Sequence, residues 1–170
     1  MDNEGLREVQ APLKERYRSD PSAAVVRLMA SGDLDAPGVA CRVTTGRALV
    51  AAGLHPATGG DGMLVCSGDM LLEALVACAG VTLRAVAMSI GIDVRGGSVI
   101  AEGDLDVRGT LGVAKDAAVG FRAIRVRFEL DTDADDAALA TLLRLTERYC
   151  VVLQTLRDGA EVFAEAAART

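Results

Sequence analysis

A long apolar segment in the middle of the chain predicts one helix from Ser67 to Gly91. Apolar side chains cover most of its helical wheel at about 100° per residue, and the polar positions share an arc of roughly 60°: Asp69, Glu73, Gly80 and Arg84. We expect Ser67 or Asp69 to cap its beginning and Gly91, in a left-handed conformation, to close its end. Its longest charge-free run, Ala74 to Leu83, is far shorter than the about 20 residues of a membrane span. The pattern therefore favours a central core helix.

The part of the chain before this helix shows a helical pattern and then a strand pattern. Leu6, Val9, Leu13 and Tyr17 recur at helical spacing, which predicts a helical arm over residues 1–22. Residues 23–170 are predicted to form a single domain. Its first strands are expected at three places: Ala23 to Ala30, Val39 to Thr45 and Arg47 to Ala52.

Alternating residues after the central helix predict two further strands, Ser98 to Arg108 and Gly120 to Asp131. An acidic run then opens a second helix that ends at Cys150, and a short helix and a last strand, Ala160 to Glu165, follow it. This order of elements predicts an α+β fold in which an antiparallel sheet covers one or two internal helices.

Composition and charge narrow the classes of function. A net charge of −6 argues against nucleic acid as a partner and against an anionic membrane surface, because both require clustered Lys and Arg. The first residues resemble no signal peptide, so we expect a cytoplasmic protein.

The four cysteines are the candidate chemistry of the chain: Cys41, Cys66, Cys78 and Cys150. Their spacing does not match a zinc site, and we expect neither a metal nor a bound cofactor. Cys78 lies on the helix face opposite Asp69, and the same face holds Leu71, Thr82 and Ser89. In a reducing compartment such thiols are either apolar fillers or redox-active groups. We expect Cys41 to be a buried filler and Cys66 to be partly exposed.

Two motifs give the chain a resemblance to a known family. The central helix contains Leu-Leu-Glu-Ala-Leu-Val-Ala-Cys-Ala, and a second cysteine about seventy residues later stands in Glu-Arg-Tyr-Cys-Val-Val-Leu-Gln-Thr-Leu. Together with the order of strands and helices, these motifs resemble the OsmC/Ohr family from about Ala23 to the end of the chain.

The resemblance implies a fold and an activity. It implies an antiparallel sheet wrapped around long central helices in an intertwined homodimer. Enzymatic members of that family reduce organic hydroperoxides in oxidative stress defence, and Cys78 matches the peroxidatic thiol while Cys150 matches the resolving thiol. A dithiol or lipoylated reductant, rather than a bound cofactor, would then regenerate the enzyme.

The chain also departs from the family pattern. The family's helix begins with a Glu ten residues before the first cysteine, where this chain has Gly68, and a Pro commonly follows the second cysteine, where this chain has Val151. A desolvated thiol needs a cation or hydrogen-bond donors to ionise. We expect Arg47 to activate Cys78, with His55 as the second candidate. The departures leave an alternative: a non-catalytic OsmC-like module that binds a small apolar ligand or a protein partner in the dimer-interface pocket.

Overall fold

The computed structural model describes residues 3–33, 42–43 and 52–166, and these form a mixed structure of helices and strands. Helix α1 (Asn3–Ser19) comes first and contains Pro12. Its buried Tyr17 donates a hydrogen bond to the Ala57 carbonyl at 2.8 Å. Tyr17 packs with Ala24 and Val107 in a small apolar cluster, so the arm is packed against the body of the protein.

The main sheet has four antiparallel strands in the order β2-β1-β5-β6. These strands are β1 (Val25–Asp33), β2 (Arg42–Val43), β5 (Gly96–Asp106) and β6 (Phe121–Asp131). A separate parallel pair consists of β3 (Ala52–Gly53) and β4 (Val65–Cys66). The predicted strands 39–45 and 47–52 fall mostly outside the described residues. Strand β6 alternates half-buried and exposed side chains as its sequence pattern predicts.

Helix α2 (Ser67–Ile90) is the predicted central helix. Gly91 closes it in the left-handed conformation, with φ of 74°, as expected. The predicted N-caps, Ser67 and Asp69, are wrong. Ser67 is already the first helical residue, so the N-cap position falls on Cys66.

The core forms where α2 meets the sheet and two C-terminal helices, α4 (Asp136–Tyr149) and α5 (Val151–Asp158). The largest fully buried core side chains include Leu72, Leu75, Leu83, Val99 and Leu142. Each such side chain stabilises the fold by about 1.5 to 3 kcal/mol relative to exposure. By length and composition α2 could also cross a membrane, but it serves here as the core helix of this layer.

One face of α2 is exposed among the residues that the structure describes. It is an apolar stripe made of Met70, Ala74, Val81, Ala85 and Met88. These positions lie within an arc of roughly 60° on the helical wheel. The stripe is exposed although the opposite face of α2 is buried, so the described part of the chain does not cover it.

Three predictions for the strands are wrong. The first strand, expected from Ala23 to Ala30, is β1 from Val25 to Asp33, because Pro21–Ala24 forms a short 3-10 helix. Strand β5 ends at Asp106 rather than Arg108, because the Asp106 carboxylate accepts a hydrogen bond from the Arg108 amide and caps a short helix, α3 (Val107–Thr110). The predicted last strand, Ala160 to Glu165, is absent: residues 159–166 are exposed and form neither helix nor strand. An alternating pattern needs a neighbouring strand edge, and within the described residues this tail contacts none.

Candidate active site

Two of the predicted site residues, Cys78 and Cys150, come together in space. Cys78 lies in the middle of α2, half-buried, and Cys150 lies between α4 and α5 with none of its surface exposed. The side chains of Cys78 and Cys150 interact, and this interaction lowers the pKa of Cys78 and raises the pKa of Cys150. Both are free thiols. The fold thus makes a thiol pair from residues that are distant in the sequence.

A break between helices α4 and α5 brings Cys150 close to Cys78. Its backbone is extended, with φ of −74° and ψ of 106°, which ends α4 and redirects the chain. Its amide still bonds to the Thr146 carbonyl at 2.9 Å, and its carbonyl accepts from the Gln154 amide at 2.9 Å to start α5. The first amides of α5 therefore have no partner within that helix and are free to face Cys78.

The surroundings of Cys78 lower the pKa of its thiol. Burial raises this pKa and is the largest single effect, but four hydrogen bonds together outweigh it. They come from the Val152 amide, the Cys150 thiol, the Thr82 hydroxyl and the Val151 amide. All four donors favour the thiolate, and the amides belong to the positive end of the α5 dipole.

The surroundings of Cys150 have the opposite effect. Burial is the largest effect and raises the pKa of Cys150 to about 11. The Leu153 amide opposes it, and the interaction with Cys78 adds a smaller increase. The pKa of Cys78 is therefore below its ordinary value, and the pKa of Cys150 is above it. Such a pair can supply a nucleophile and, beside it, a protonated sulfur.

Of the two predicted activating residues, the structure describes only His55. His55 lines a cavity of about 340 Å³ together with Cys66 and Leu71, and its Nδ1 accepts a hydrogen bond from the Ala57 amide at 3.0 Å. About 18 Å of helical rise separates Cys66 from Cys78, so this cavity lies towards the beginning of α2. Arg47 lies outside the described residues. The activating roles of Arg47 and His55 stay predictions.

Sequence reasoning did not assign a role to Thr82, Val151 or Val152. Thr82 had a usable signal, because it stands one helical turn after Cys78 on the same face of α2. The two valines had none, since their contribution comes from backbone amides and does not depend on the side chain.

A groove with mixed polar and apolar walls lies near the thiol pair, and its charged residues are Arg122, Glu147 and Arg157. It has a volume of about 410 Å³ and lies between β6 and helices α4 and α5. Leu75 and Leu153 form part of its wall, each one helical turn from a cysteine of the pair. Neither cysteine lines the groove directly. Within residues 3–33, 42–43 and 52–166, no cluster of His, Cys, Asp and Glu is suited to hold a metal ion.

Comparison with known proteins identifies the family. The family model described as OsmC-like protein matches residues 60–164, more than half of the chain, and the chain belongs to this family. The fold agrees with it, so the predicted OsmC-like α+β fold is confirmed. No curated protein sequence matches the chain significantly.

Two solved structures share the fold. One is an OsmC-like hydroperoxide resistance protein from Jannaschia sp. CCS1, with a TM-score of 0.58 and 16% identity, covering 85% of this chain and 95% of that one. The other is an OsmC-like protein from Mycoplasma pneumoniae, with a TM-score of 0.55 and 13% identity, covering 79% of this chain and 86% of that one.

Proposed function

We propose that this protein is a thiol-dependent peroxidase that reduces organic hydroperoxides through Cys78 and Cys150 and serves in oxidative stress defence. The observation that carries the proposal is the contact between two free thiols whose pKa values are shifted in opposite directions. The OsmC-like family and the similarity to a protein named for hydroperoxide resistance support the same theme.

The thiol with the lowered pKa, Cys78, is the attacking thiol, and the thiol with the raised pKa, Cys150, is the resolving thiol. The Cys78 thiolate attacks the outer oxygen of the hydroperoxide, the O–O bond breaks, and Cys78 becomes a sulfenic acid while the alkoxide leaves and takes a proton from solvent to give the alcohol. The Cys150 sulfur then attacks the Cys78 sulfur, which forms the disulfide and releases water. An external dithiol or lipoylated reductant returns both sulfurs to thiols, and no bound cofactor is needed.

The groove near the thiol pair supports a preference for organic over inorganic peroxide. The apolar part of its wall, which includes Leu75, Phe121 and Leu153, can bury an alkyl or aryl group. We further propose that the working form is a cytoplasmic homodimer.

One equivalent of an organic hydroperoxide tests this function. We expect cumene hydroperoxide to consume two thiols per chain and to join Cys78 to Cys150, as detected by peptide mass after free thiols are blocked. Cys78→Ser should abolish the reaction, whereas Cys66→Ser should leave the same disulfide. Loss of Cys66 in place of the pair, or no loss of thiols at all, would contradict the proposal.

A second candidate function is a non-catalytic module that binds a small apolar ligand or a partner. The groove between β6 and helices α4 and α5 favours it, because a volume of about 410 Å³ lies within the usual range of ligand sites. An apolar fluorescent probe should distinguish the two functions. Binding that persists in Cys78→Ser, together with unreacted thiols after peroxide treatment of the wild type, would favour the binding module.

A further inference from the structure

We propose that Thr146 is a positioning residue for the resolving thiol: its buried hydroxyl turns to donate a hydrogen bond to the sulfur of Cys150 when that sulfur ionises and attacks Cys78. This inference rests on the proposed peroxidase function and deepens it. It gives a role to a buried side chain of α4 that the sequence pattern does not account for.

The hydroxyl of Thr146 is buried and unused. The side chain is 1% exposed, and its oxygen has no hydrogen-bond partner among the described residues. A threonine inside a helix can donate to the carbonyl four residues before it, as Thr141 of the same helix does to Ala137 at 3.0 Å. Thr146 does not form the equivalent bond to Leu142. A buried polar group without a partner is uncommon in native proteins, because its lost hydration is not replaced, so this hydroxyl calls for an explanation.

The helix places this hydroxyl beside Cys150. The Cys150 amide donates to the Thr146 carbonyl at 2.9 Å, so the last turn of α4 is regular up to Cys150 although the backbone turns away after it. Residues four apart on a helix are neighbours on one face, with about 5–6 Å between their Cβ atoms. The Cα–Cβ bonds of a helix tilt towards its beginning, so the Cys150 side chain leans back over the turn that holds Thr146. Rotation about one side-chain bond in each residue can then bring the oxygen to the sulfur.

Cys150 needs hydrogen-bond donors from the protein because none of its surface is exposed to water. Burial is the largest cause of its raised pKa, whereas a resolving sulfur reacts as the thiolate. The Leu153 and Val152 amides oppose the effect of burial from the side of α5, and the Thr146 hydroxyl adds a donor from the side of α4. A hydrogen bond to a charged acceptor is stronger than one to a neutral acceptor. A hydroxyl that is unpartnered beside the thiol therefore gains most when the sulfur carries a charge.

The atoms and electrons of the step balance. The Cys150 thiol gives up its proton, and the resulting thiolate attacks the sulfur of the Cys78 sulfenic acid. The S–S bond forms and the S–O bond breaks. The electron pair of the S–O bond leaves with the hydroxide, which takes up the released proton and departs as water. The sulfur of Cys150 is oxidised and that of Cys78 is reduced, while the Thr146 hydroxyl keeps its own proton throughout.

The test times the attack of Cys150 separately from the reaction that activates Cys78. One equivalent of either of two probes activates Cys78: cumene hydroperoxide gives the sulfenic acid, and methyl methanethiosulfonate gives a methyl disulfide, from which methanethiol leaves. Thr146→Val has the same shape without the hydroxyl, and it should slow formation of the disulfide between Cys78 and Cys150 by about fivefold at pH 7 with both probes. The measurement is acid quench, blocking of free thiols and peptide mass. The activation of Cys78 should be unchanged, because in the described structure the Thr146 hydroxyl is not a donor to Cys78.

Two further variants and a stability measurement separate this role from packing. Thr146→Ser keeps the hydroxyl, so it should form the disulfide at nearly the wild-type rate although it loses a buried methyl group. Thr141→Val removes a hydroxyl that is already bonded within α4, so it should change neither step. The melting temperature of Thr146→Val should equal or exceed that of wild type, because loss of an unpartnered buried hydroxyl removes a desolvation cost.

The outcomes for the two proposals can be told apart. Thr146 has no positioning role if Thr146→Val forms the disulfide as fast as wild type, if Thr146→Ser is as slow as Thr146→Val, or if Thr146→Val slows both steps and melts at a lower temperature. The peroxidase function stands in each of these cases. If wild type forms the disulfide from the methyl disulfide but not with cumene hydroperoxide, the proposed function fails, and the methyl disulfide alone decides whether Thr146 acts on Cys150. If wild type forms no disulfide with either probe, both proposals fail.

Discussion

The thiol of Cys78 is favoured as a thiolate by uncharged donors. The described groups that stabilise it are two amides, a hydroxyl and a neighbouring thiol, and they outweigh its burial. Hydrogen bonds to a charged acceptor contribute about 1.5 to 3 kcal/mol each, so several of them can offset the desolvation of a half-buried sulfur. The activating roles expected of Arg47 and His55 stay predictions beside these donors.

Thr82→Val tests this account at a single residue. Loss of the hydroxyl should raise the pKa of Cys78, because the thiolate loses a donor, and should slow alkylation of Cys78 at pH 7 by about tenfold, as expected for about 1.4 kcal/mol. The measurement is the alkylation rate of Cys78 against pH. Thr141→Val is the matched control, since the Thr141 hydroxyl donates to the Ala137 carbonyl in α4 at 3.0 Å, and it should change nothing. An unaltered pH profile in Thr82→Val would remove Thr82 from the site.

At the scale of elements, the break between α4 and α5 organises the site. One extended residue, Cys150, ends α4, begins α5 and presents its own thiol to α2. The same break points the first amides of α5 at Cys78. A continuous helix through Cys150 would use those amides internally, so the site depends on the interruption.

Val151→Pro tests the contribution of the first amide of α5. Proline is tolerated at the first position of a helix, and the extended Cys150 backbone suits a residue before proline, so the fold should remain intact. Because the Val151 amide is lost, the pKa of Cys78 should rise and alkylation at pH 7 should slow by about two- to threefold. Val151→Ala, which keeps the amide, should behave as wild type. Equal rates for the two variants, with equal thermal stability, would show that this amide does not act on Cys78.

At the scale of the whole molecule, the apolar stripe of α2 is exposed beside the thiol pair. Val81 and Met88 are 38% and 66% exposed, and the stripe runs along the same helix that carries Cys78. Contiguous exposed apolar surface indicates an interaction site. We infer that a second copy of the chain covers the stripe, in a dimer that buries well over about 2,000 Å².

Met88→Glu tests the dimer. Wild type should sediment as a dimer at micromolar concentration, and a charge within the apolar stripe should convert it to a monomer or weaken association by at least about 100-fold, because an unpaired buried charge is costly. Val162→Glu is the control, since Val162 is 88% exposed and lies in the C-terminal tail rather than in the apolar stripe. A wild-type protein that is monomeric at this concentration, or a Met88→Glu variant that remains dimeric, would contradict this arrangement.

Local patterns in the sequence determined most of the elements of the fold. The apolar segment and Gly91 predicted α2, and alternation predicted β6, because side-chain periodicity and capping depend on neighbouring residues. The same local reasoning placed Cys78 and Thr82 on one face of α2. It failed for the tail after residue 159, where a strand needs a partner edge that an alternating pattern does not supply.

Only the tertiary structure decided how the thiol pair is tuned. Cys78 and Cys150 meet because α4 and α5 both pack against α2. This packing depends on contacts across the core rather than on the residues next to either cysteine. The donors from Val151 and Val152 are main-chain amides, which every residue except proline has, so side-chain identity carries no signal for them. The sequence by itself determined which sulfurs are present and on which helix face Cys78 lies. The packing determined which of them ionises, because the pKa of a thiol depends on its burial and on the donors that reach it.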